Sequence, residues 1–240
     1  MMEKGFAYID NLEKLGMFLQ ERHKTKSEMA VACDELIKGH LDMIALIRSF
    51  AVEAEKQIKE WEDEMARNPK EDYRENIDLV RLIIDFYKLN GRYAMLELDV
   101  NTAYKHLFMA GTEYEYRFFA RRAYTLMYEA KKGLAVPMGQ MYKRLDAIIK
   151  EQELGPYKNE HSDLIEFLKT NEEEFKKIRN TNEAHKTEGF DDQVTSIENM
   201  SVARSIVLIE DFCIHLAKLY CAFLVVQNAL TAYMRKMMAS

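Results

Sequence analysis

Residues 176–186 (KKIRNTNEAHK) contain side chains suited to phosphate-ester chemistry without a metal ion. Asn180 follows Arg179 directly, and His185 comes after five spacer residues. Cleavage of RNA through its own 2′-hydroxyl needs a base for the hydroxyl proton, an acid for the leaving oxygen and a cation for the phosphoryl oxygens. Histidine titrates near neutrality and can act as acid or base, whereas the planar guanidinium of arginine matches a phosphate. The segment is therefore a candidate for RNA cleavage.

The spacing of Arg179 and His185 places a condition on this interpretation. At about 100° per residue, side chains six positions apart on an unbroken helix point about 120° away from each other. The two groups reach one phosphate only if the helix unwinds before His185 or if a second subunit completes the site. The hypothesis therefore predicts a homodimer.

A second group of basic residues lies in the aromatic-rich segment 112–132. Arg117 and Arg121 are four positions apart and share a helix face, and together with Lys186 they are candidates for contacts with an RNA substrate. The net charge of −6 excludes a protein whose whole surface is basic, so any RNA contact must be local. The alternative is structural, with Arg117 paired to Glu113 and the lysines solvating helix ends.

The Arg179-Asn180…His185 pattern resembles the RNase signature of the HEPN superfamily, a group of small all-α domains. Many members are metal-independent endoribonucleases of toxin–antitoxin and phage-defence systems that dimerise so that two motifs face each other, whereas others are inactive. The resemblance implies a four-helix bundle over about 112–238, with the motif near the end of a long helix. It also implies an endoribonuclease in which His185 is the general acid or base, Arg179 binds phosphate and Asn180 orients His185 or a phosphate oxygen. An antitoxin or another partner helix is a possible binding partner.

The composition favours long helices over β-architectures. Nine Gly and three Pro among 240 residues leave room for few turns, which argues against sandwiches, barrels and βαβ repeats. We therefore expect an all-α protein in which a long helical hairpin, about residues 1–95, precedes a HEPN-like bundle, about residues 96–240. The boundary is open, and the two parts can equally form one continuous domain.

A heptad seam runs through residues 33–65 and predicts one long helix that packs at a shallow angle on a partner. Its members alternate in steps of four and three: Cys33, Ile37, His40, Ile44, Ile47, Ala51, Ala54, Ile58, Trp61 and Met65. His40 is the polar member, and a polar seam residue usually sets register or partner choice.

Proline and glycine predict the ends of the other helices. Pro69, Pro137 and Pro156 are expected at helix boundaries, and Gly133 is expected to end the aromatic-rich helix. A turn is expected over residues 154–158, followed by one helix over about 160–185.

No metal or cofactor site is predicted. None of the six His residues has a Glu three positions before it, and the sequence contains no phosphate-cradling glycine loop. The three Cys residues form no CxxC pair, which favours a reducing, cytoplasmic setting, and no segment is apolar enough to predict a membrane span.

A second function remains open beside RNA cleavage. The chain can be a non-catalytic helical interaction or oligomerisation protein, with the heptad seam and the aromatic helix as partner surfaces and a degenerate Arg–His motif. A shared, solvent-open groove containing Arg179 and His185 would favour the nuclease.

Overall fold

The computed structural model describes residues 26–183 and 200–238, and this part of the chain is helical, with no β-strand. The all-α prediction is confirmed. The helices are α1 (Lys26–Arg67), α2 (Arg74–Met109), α3 (Glu113–Ala130), α4 (Val136–Leu145), α5 (Glu151–Thr170), α6 (Glu172–Glu183) and α7 (Val202–Met238). A π-helical segment, Lys131–Ala135, joins α3 to α4.

The long α1 helix confirms the heptad interpretation. All ten seam residues are buried or half-buried, and they form the face that packs against α2. The two helices are antiparallel: Lys105 binds Asp34 at 2.6 Å near one end, and Trp61 stacks on Tyr73 at 5.9 Å near the other. The turn between α1 and α2 contains Pro69, as predicted.

The second helix belongs to both the hairpin and the bundle. Ala54 and Ile58 of α1 form a small apolar cluster with Ile77, Val80 and Ile84 of α2 near the hairpin turn. Farther along, α2 enters the main core, and it continues through residue 95 without interruption. The proposed division between residues 95 and 96 therefore falls inside one helix.

The main core is built around α7, which runs antiparallel to α2. The Tyr93 hydroxyl donates to the carbonyl oxygen of Leu216 at 3.0 Å, and the Tyr104 hydroxyl donates to Glu210 at 2.8 Å. Large side chains from α2 to α7 fill the space between the helices: Phe86, Phe108, Tyr124, Met138, Tyr157, Phe175 and Phe212 are each less than 2% exposed. These contacts fix α3 and α6, the helices that carry the described candidate site residues.

The predicted helix end at Gly133 is wrong. Gly133 lies inside the π-helical segment, and no described residue has a positive φ. Pro137 lacks the N–H that would bond the Gly133 carbonyl in an α-helix, and the chain passes this point as a π-helix instead of ending. His161 of α5 donates a hydrogen bond from Nε2 to the Ala135 carbonyl oxygen at 2.8 Å, which satisfies one of the acceptors in this irregular stretch.

The turn predicted around Pro156 is also wrong. Pro156 is the sixth residue of α5, where it removes only one helical hydrogen bond. The residue before it is Gly155, which has no Cβ to clash with the proline ring and so tolerates the helical conformation there.

The single helix expected over 160–185 is interrupted at Asn171. The Asn171 backbone N–H and its Nδ2 both donate to the Phe167 carbonyl, at 3.2 and 2.9 Å, and this closes the end of α5. A new helix, α6, begins at Glu172.

Candidate functional site

Arg179 lies on α6 against the C-terminal end of α3. Its guanidinium is 5.2 Å from the ring centroid of Tyr128, and its Nε is 3.4 Å from a Glu129 carboxylate oxygen. The Arg179 side chain is about one-quarter exposed, and Asn180 beside it is exposed. A cation placed over an aromatic face is held in a defined position but keeps the donors at the edge of its guanidinium plane.

His185 and Lys186 lie outside the described residues. The predicted convergence of Arg179 and His185 therefore stays a prediction, as does the contribution of Lys186 to a basic patch. The described part of the motif is the helix end that bears Arg179 and Asn180.

Acidic residues in the first turn of α6 fix the orientation of that helix. Glu172 accepts two hydrogen bonds of 2.7 Å from Lys131, which lower the pKa of this carboxyl below its ordinary value. Glu174 accepts from the Tyr124 hydroxyl at 2.9 Å and from Arg204 of α7 at 2.9 and 3.0 Å. Negative charge at a helix N-terminus also interacts favourably with the helix dipole. Because α6 is bound to α3 and α7 at its start, Arg179 is positioned two turns later.

Tyr124 connects this arrangement to the core. Its ring packs edge-on against Phe175 at 5.4 Å, and Ser205 lies within 3.4 Å of its hydroxyl. Burial is the main reason why the pKa of Tyr124 is raised, with the nearby Glu174 adding to the effect. The hydroxyl is therefore a hydrogen-bond donor at neutral pH, not a catalytic base.

The two candidate arginines of α3 lie on the same face as Tyr124 and Tyr128. Positions 117, 121, 124 and 128 repeat at helical spacing, so their side chains fall within a narrow angular sector of α3. Arg121 and Tyr128 are separated by about 10 Å along the helix axis. Arg121 therefore lies on the face of α3 that Arg179 contacts, about two helical turns before the contact at Tyr128.

Arg117 has structural partners. It is buried, and it donates from Nη1 to the Met200 carbonyl at 2.7 Å and from Nη2 to Glu113 at 2.5 Å. The pairing with Glu113, which was the structural alternative from sequence, is confirmed. The Arg117 guanidinium therefore links α3 to the residues immediately before α7.

Arg121 lies only one turn from Arg117, but its side chain does not have the same kind of hydrogen-bond partners. Its side chain is 8% exposed, and its Nε has no hydrogen-bond partner within residues 26–183 and 200–238. Its guanidinium carbon lies over the ring of Phe118, 6.0 Å from the centroid, in a cation–π contact. A buried cation without a neighbouring carboxylate is costly, and an anion that binds there would offset the cost.

Several residues around the site were not predicted from sequence. Tyr124 and Tyr128 could have been found, because they continue the helical spacing of Arg117 and Arg121. Glu174 and Arg204 gave no such signal, since they are thirty positions apart and meet only through the packing of α6 on α7.

The described residues contain no group of three or more His, Cys, Asp or Glu side chains placed to hold a metal ion. No described helix combines the length and the apolar character needed to cross a membrane. Comparison with known proteins gives no match to a family model, to a curated protein or to a solved structure.

Proposed function

We propose that the protein is a dimeric, metal-independent endoribonuclease of the HEPN type, of the kind used in toxin–antitoxin or phage-defence systems. The observation that supports this proposal best is Arg121, a buried residue whose Nε has no hydrogen-bond partner and which forms no ion pair among the described residues. It lies on the α3 face that also contacts Arg179. Two arginines along one face are suited to neighbouring phosphates of an RNA strand.

The proposed reaction uses His185 for proton transfer. His185 of one subunit accepts the proton of the ribose 2′-hydroxyl, whose oxygen attacks the adjacent phosphorus. The P–O5′ bond then breaks, a second acid protonates the departing oxygen, and a 2′,3′-cyclic phosphate remains. The second acid is His185 of the partner subunit, and Arg179 neutralises charge on the phosphoryl oxygens while Asn180 orients the imidazole.

The decisive experiment is a cleavage assay of the purified full chain on single-stranded RNA in the presence of EDTA. We expect cleavage by the wild type and none by His185→Ala or Arg179→Ala. His106→Ala is the matched control, because His106 is an exposed histidine that stacks on Phe119 away from α6. Circular dichroism shows whether each variant keeps its helices. Absence of cleavage by the wild type, or unchanged cleavage by His185→Ala, would refute the nuclease.

The alternative is a non-catalytic helical interaction protein. It is favoured by large apolar residues of α1 that are about half exposed or more: Val31, Leu36, Leu41, Leu46 and Val52. Leu41 and Val52 are eleven positions apart and therefore share one flank of the helix. If the wild type does not cut RNA, and if Leu41→Lys/Val52→Lys lowers its mass in light scattering, the interaction function is supported.

A further inference from the structure

A groove lies between α1, α2 and α7, and none of its lining residues is used by the proposed nuclease. Its volume is about 880 Å³, within the range of pockets that hold small organic ligands. Its outer edge is formed by exposed apolar side chains, among them Leu46, which is 72% exposed.

The walls of the groove are apolar and aromatic. Two aromatic pairs line it: Phe50 and Tyr87, with ring centroids 4.5 Å apart, and Tyr93 and Tyr220, which stack at 6.2 Å. Aromatic faces bind both hydrocarbon and organic cations, since the ring face carries negative potential.

The floor contains a buried ion pair between α1 and α2. His40 donates from Nδ1 to the Leu36 carbonyl at 2.6 Å, and its Nε2 is hydrogen-bonded to the Glu97 carboxylate. Because both ring nitrogens face acceptors, the imidazolium is the form that satisfies them. Burial alone lowers the pKa of His40, but the bonds to Glu97 and Leu36 outweigh it and the pKa lies above the ordinary value.

Asn90 provides an acceptor that nothing in the described chain satisfies. Its side chain is 5% exposed and lines the groove, and its Oδ1 has no hydrogen-bond partner among residues 26–183 and 200–238. A buried acceptor without a donor is unfavourable, so a ligand that brings an N–H or O–H to this atom gains from it.

The charged residues around the groove favour a ligand that carries a positive charge. Glu35 and Asp42 lie along it in addition to Glu97, His40 is already paired with Glu97, and no Lys or Arg is among the described lining residues. Negative potential and a free acceptor both favour a positively charged donor.

We propose that this groove binds a small amphipathic organic cation. A rotation of the Asn90 side chain brings its enclosed Oδ1 to the groove surface, where a protonated amine of the ligand donates to it beside the His40–Glu97 pair. Its apolar body lies along Phe50, Tyr87 and Leu46. Binding here is independent of RNA and of His185.

The test uses three probes with one apolar body and different head groups: 6-phenylhexylamine, 6-phenylhexan-1-ol and 6-phenylhexanoate. Isothermal titration into the full chain should show saturable binding of the amine, binding of the alcohol weaker by about tenfold, and no saturable binding of the carboxylate. No saturable binding of the amine at millimolar concentration, or equally tight binding of the carboxylate, refutes the proposal.

Two variants test the position of the amine. Asn90→Leu keeps the approximate size of the side chain and removes the acceptor, so the amine should bind about tenfold more weakly while the melting temperature stays the same or rises. Leu46→Lys places a cation at the mouth and should also weaken the amine, whereas Leu41→Lys adds the same charge outside the groove and should not. Unchanged affinity in Asn90→Leu contradicts the proposal. If the amine fails to bind and Leu46→Lys converts a dimer to a monomer in light scattering, a second copy of the chain covers the groove and the proposal is wrong.

Discussion

Arg117 donates a hydrogen bond to the carbonyl oxygen of Met200 at 2.7 Å, across 83 positions of sequence. Both residues are buried. The bond joins α3 to the point where α7 is about to begin, so a residue considered for substrate contact also stabilises the packing of two core helices. Its neighbour Arg121, one turn later, makes no comparable contact within the described residues. The two arginines should therefore respond in opposite ways to the same substitution.

Arg117→Met should destabilise the fold by about 2–3 kcal/mol. The substitution keeps most of the aliphatic stem but leaves the Met200 carbonyl without its charged donor and Glu113 without its partner. Urea unfolding followed by circular dichroism measures the loss. Arg122→Met is the control, because Arg122 is exposed on the same helix and should change stability by less than about 0.5 kcal/mol. Equal unfolding midpoints for Arg117→Met and the wild type would show that the buried bond is not stabilising.

Arg121→Met should leave stability unchanged or raise it by up to about 2 kcal/mol. The Arg121 Nε is buried without a hydrogen-bond partner among the described residues, which is itself a cost, and an apolar side chain of similar length removes that cost. The same urea titration measures it at low ionic strength without added anions. A loss of stability as large as that of Arg117→Met would mean that Arg121 is satisfied after all, and the main support for a phosphate site on α3 would disappear.

The sequence was most informative where one helix packs along another. The ten-residue seam of α1 was predictable because burial on a single partner repeats every three or four residues. The Arg117–Glu113 pair was predictable for the same reason, as its members are one turn apart.

Contacts that depend on tertiary packing were not predictable. His40 was recognised as a polar seam residue, but its partner Glu97 is 57 positions away and no local pattern points to it. Arg179 was selected for its chemistry, whereas its stacking on Tyr128 depends on how α6 crosses α3. The boundary errors at Gly133 and Pro156 arose because packing of the flanking residues outweighed the local tendency to end a helix.

Arg121→Gln should weaken RNA binding if α3 contacts the phosphate backbone. Measured by fluorescence anisotropy with a labelled single strand, the dissociation constant should rise by about fivefold, and the slope of log affinity against log salt should fall by about one. The measurement is best made in the His185→Ala background, where the RNA is not expected to be cut. Arg122→Gln removes the same charge from the next, exposed position and should change both quantities less. If the two variants behave alike, only the net charge matters and Arg121 makes no specific contact.

The His40–Glu97 pair predicts how stability depends on pH. The pKa of His40 is raised in the folded protein, mainly by its bond to Glu97 acting against the effect of burial. A raised folded-state pKa means that the folded state holds the proton more tightly than the unfolded chain does. The stabilisation is therefore fully present below the unfolded pKa, about 6.5, and is lost as pH rises through the higher folded pKa.

We expect the urea midpoint of the wild type to fall as the pH rises above about 6.5 and through the higher folded-state pKa of His40. In the double variant His40→Leu/Glu97→Leu this contribution should be absent, because both members of the buried pair are replaced by apolar residues. The single variant His40→Leu should be less stable than the double variant by about 3 kcal/mol, since it leaves the Glu97 carboxylate buried without its cationic partner. Thr112→Ala is a suitable reference, because it removes the capping box of α3 at a site remote from His40 and should shift the whole pH curve without changing its shape. A wild-type midpoint that rises with pH over this range, or a double variant with the same pH dependence as the wild type, would show that His40 is not held as an imidazolium against Glu97.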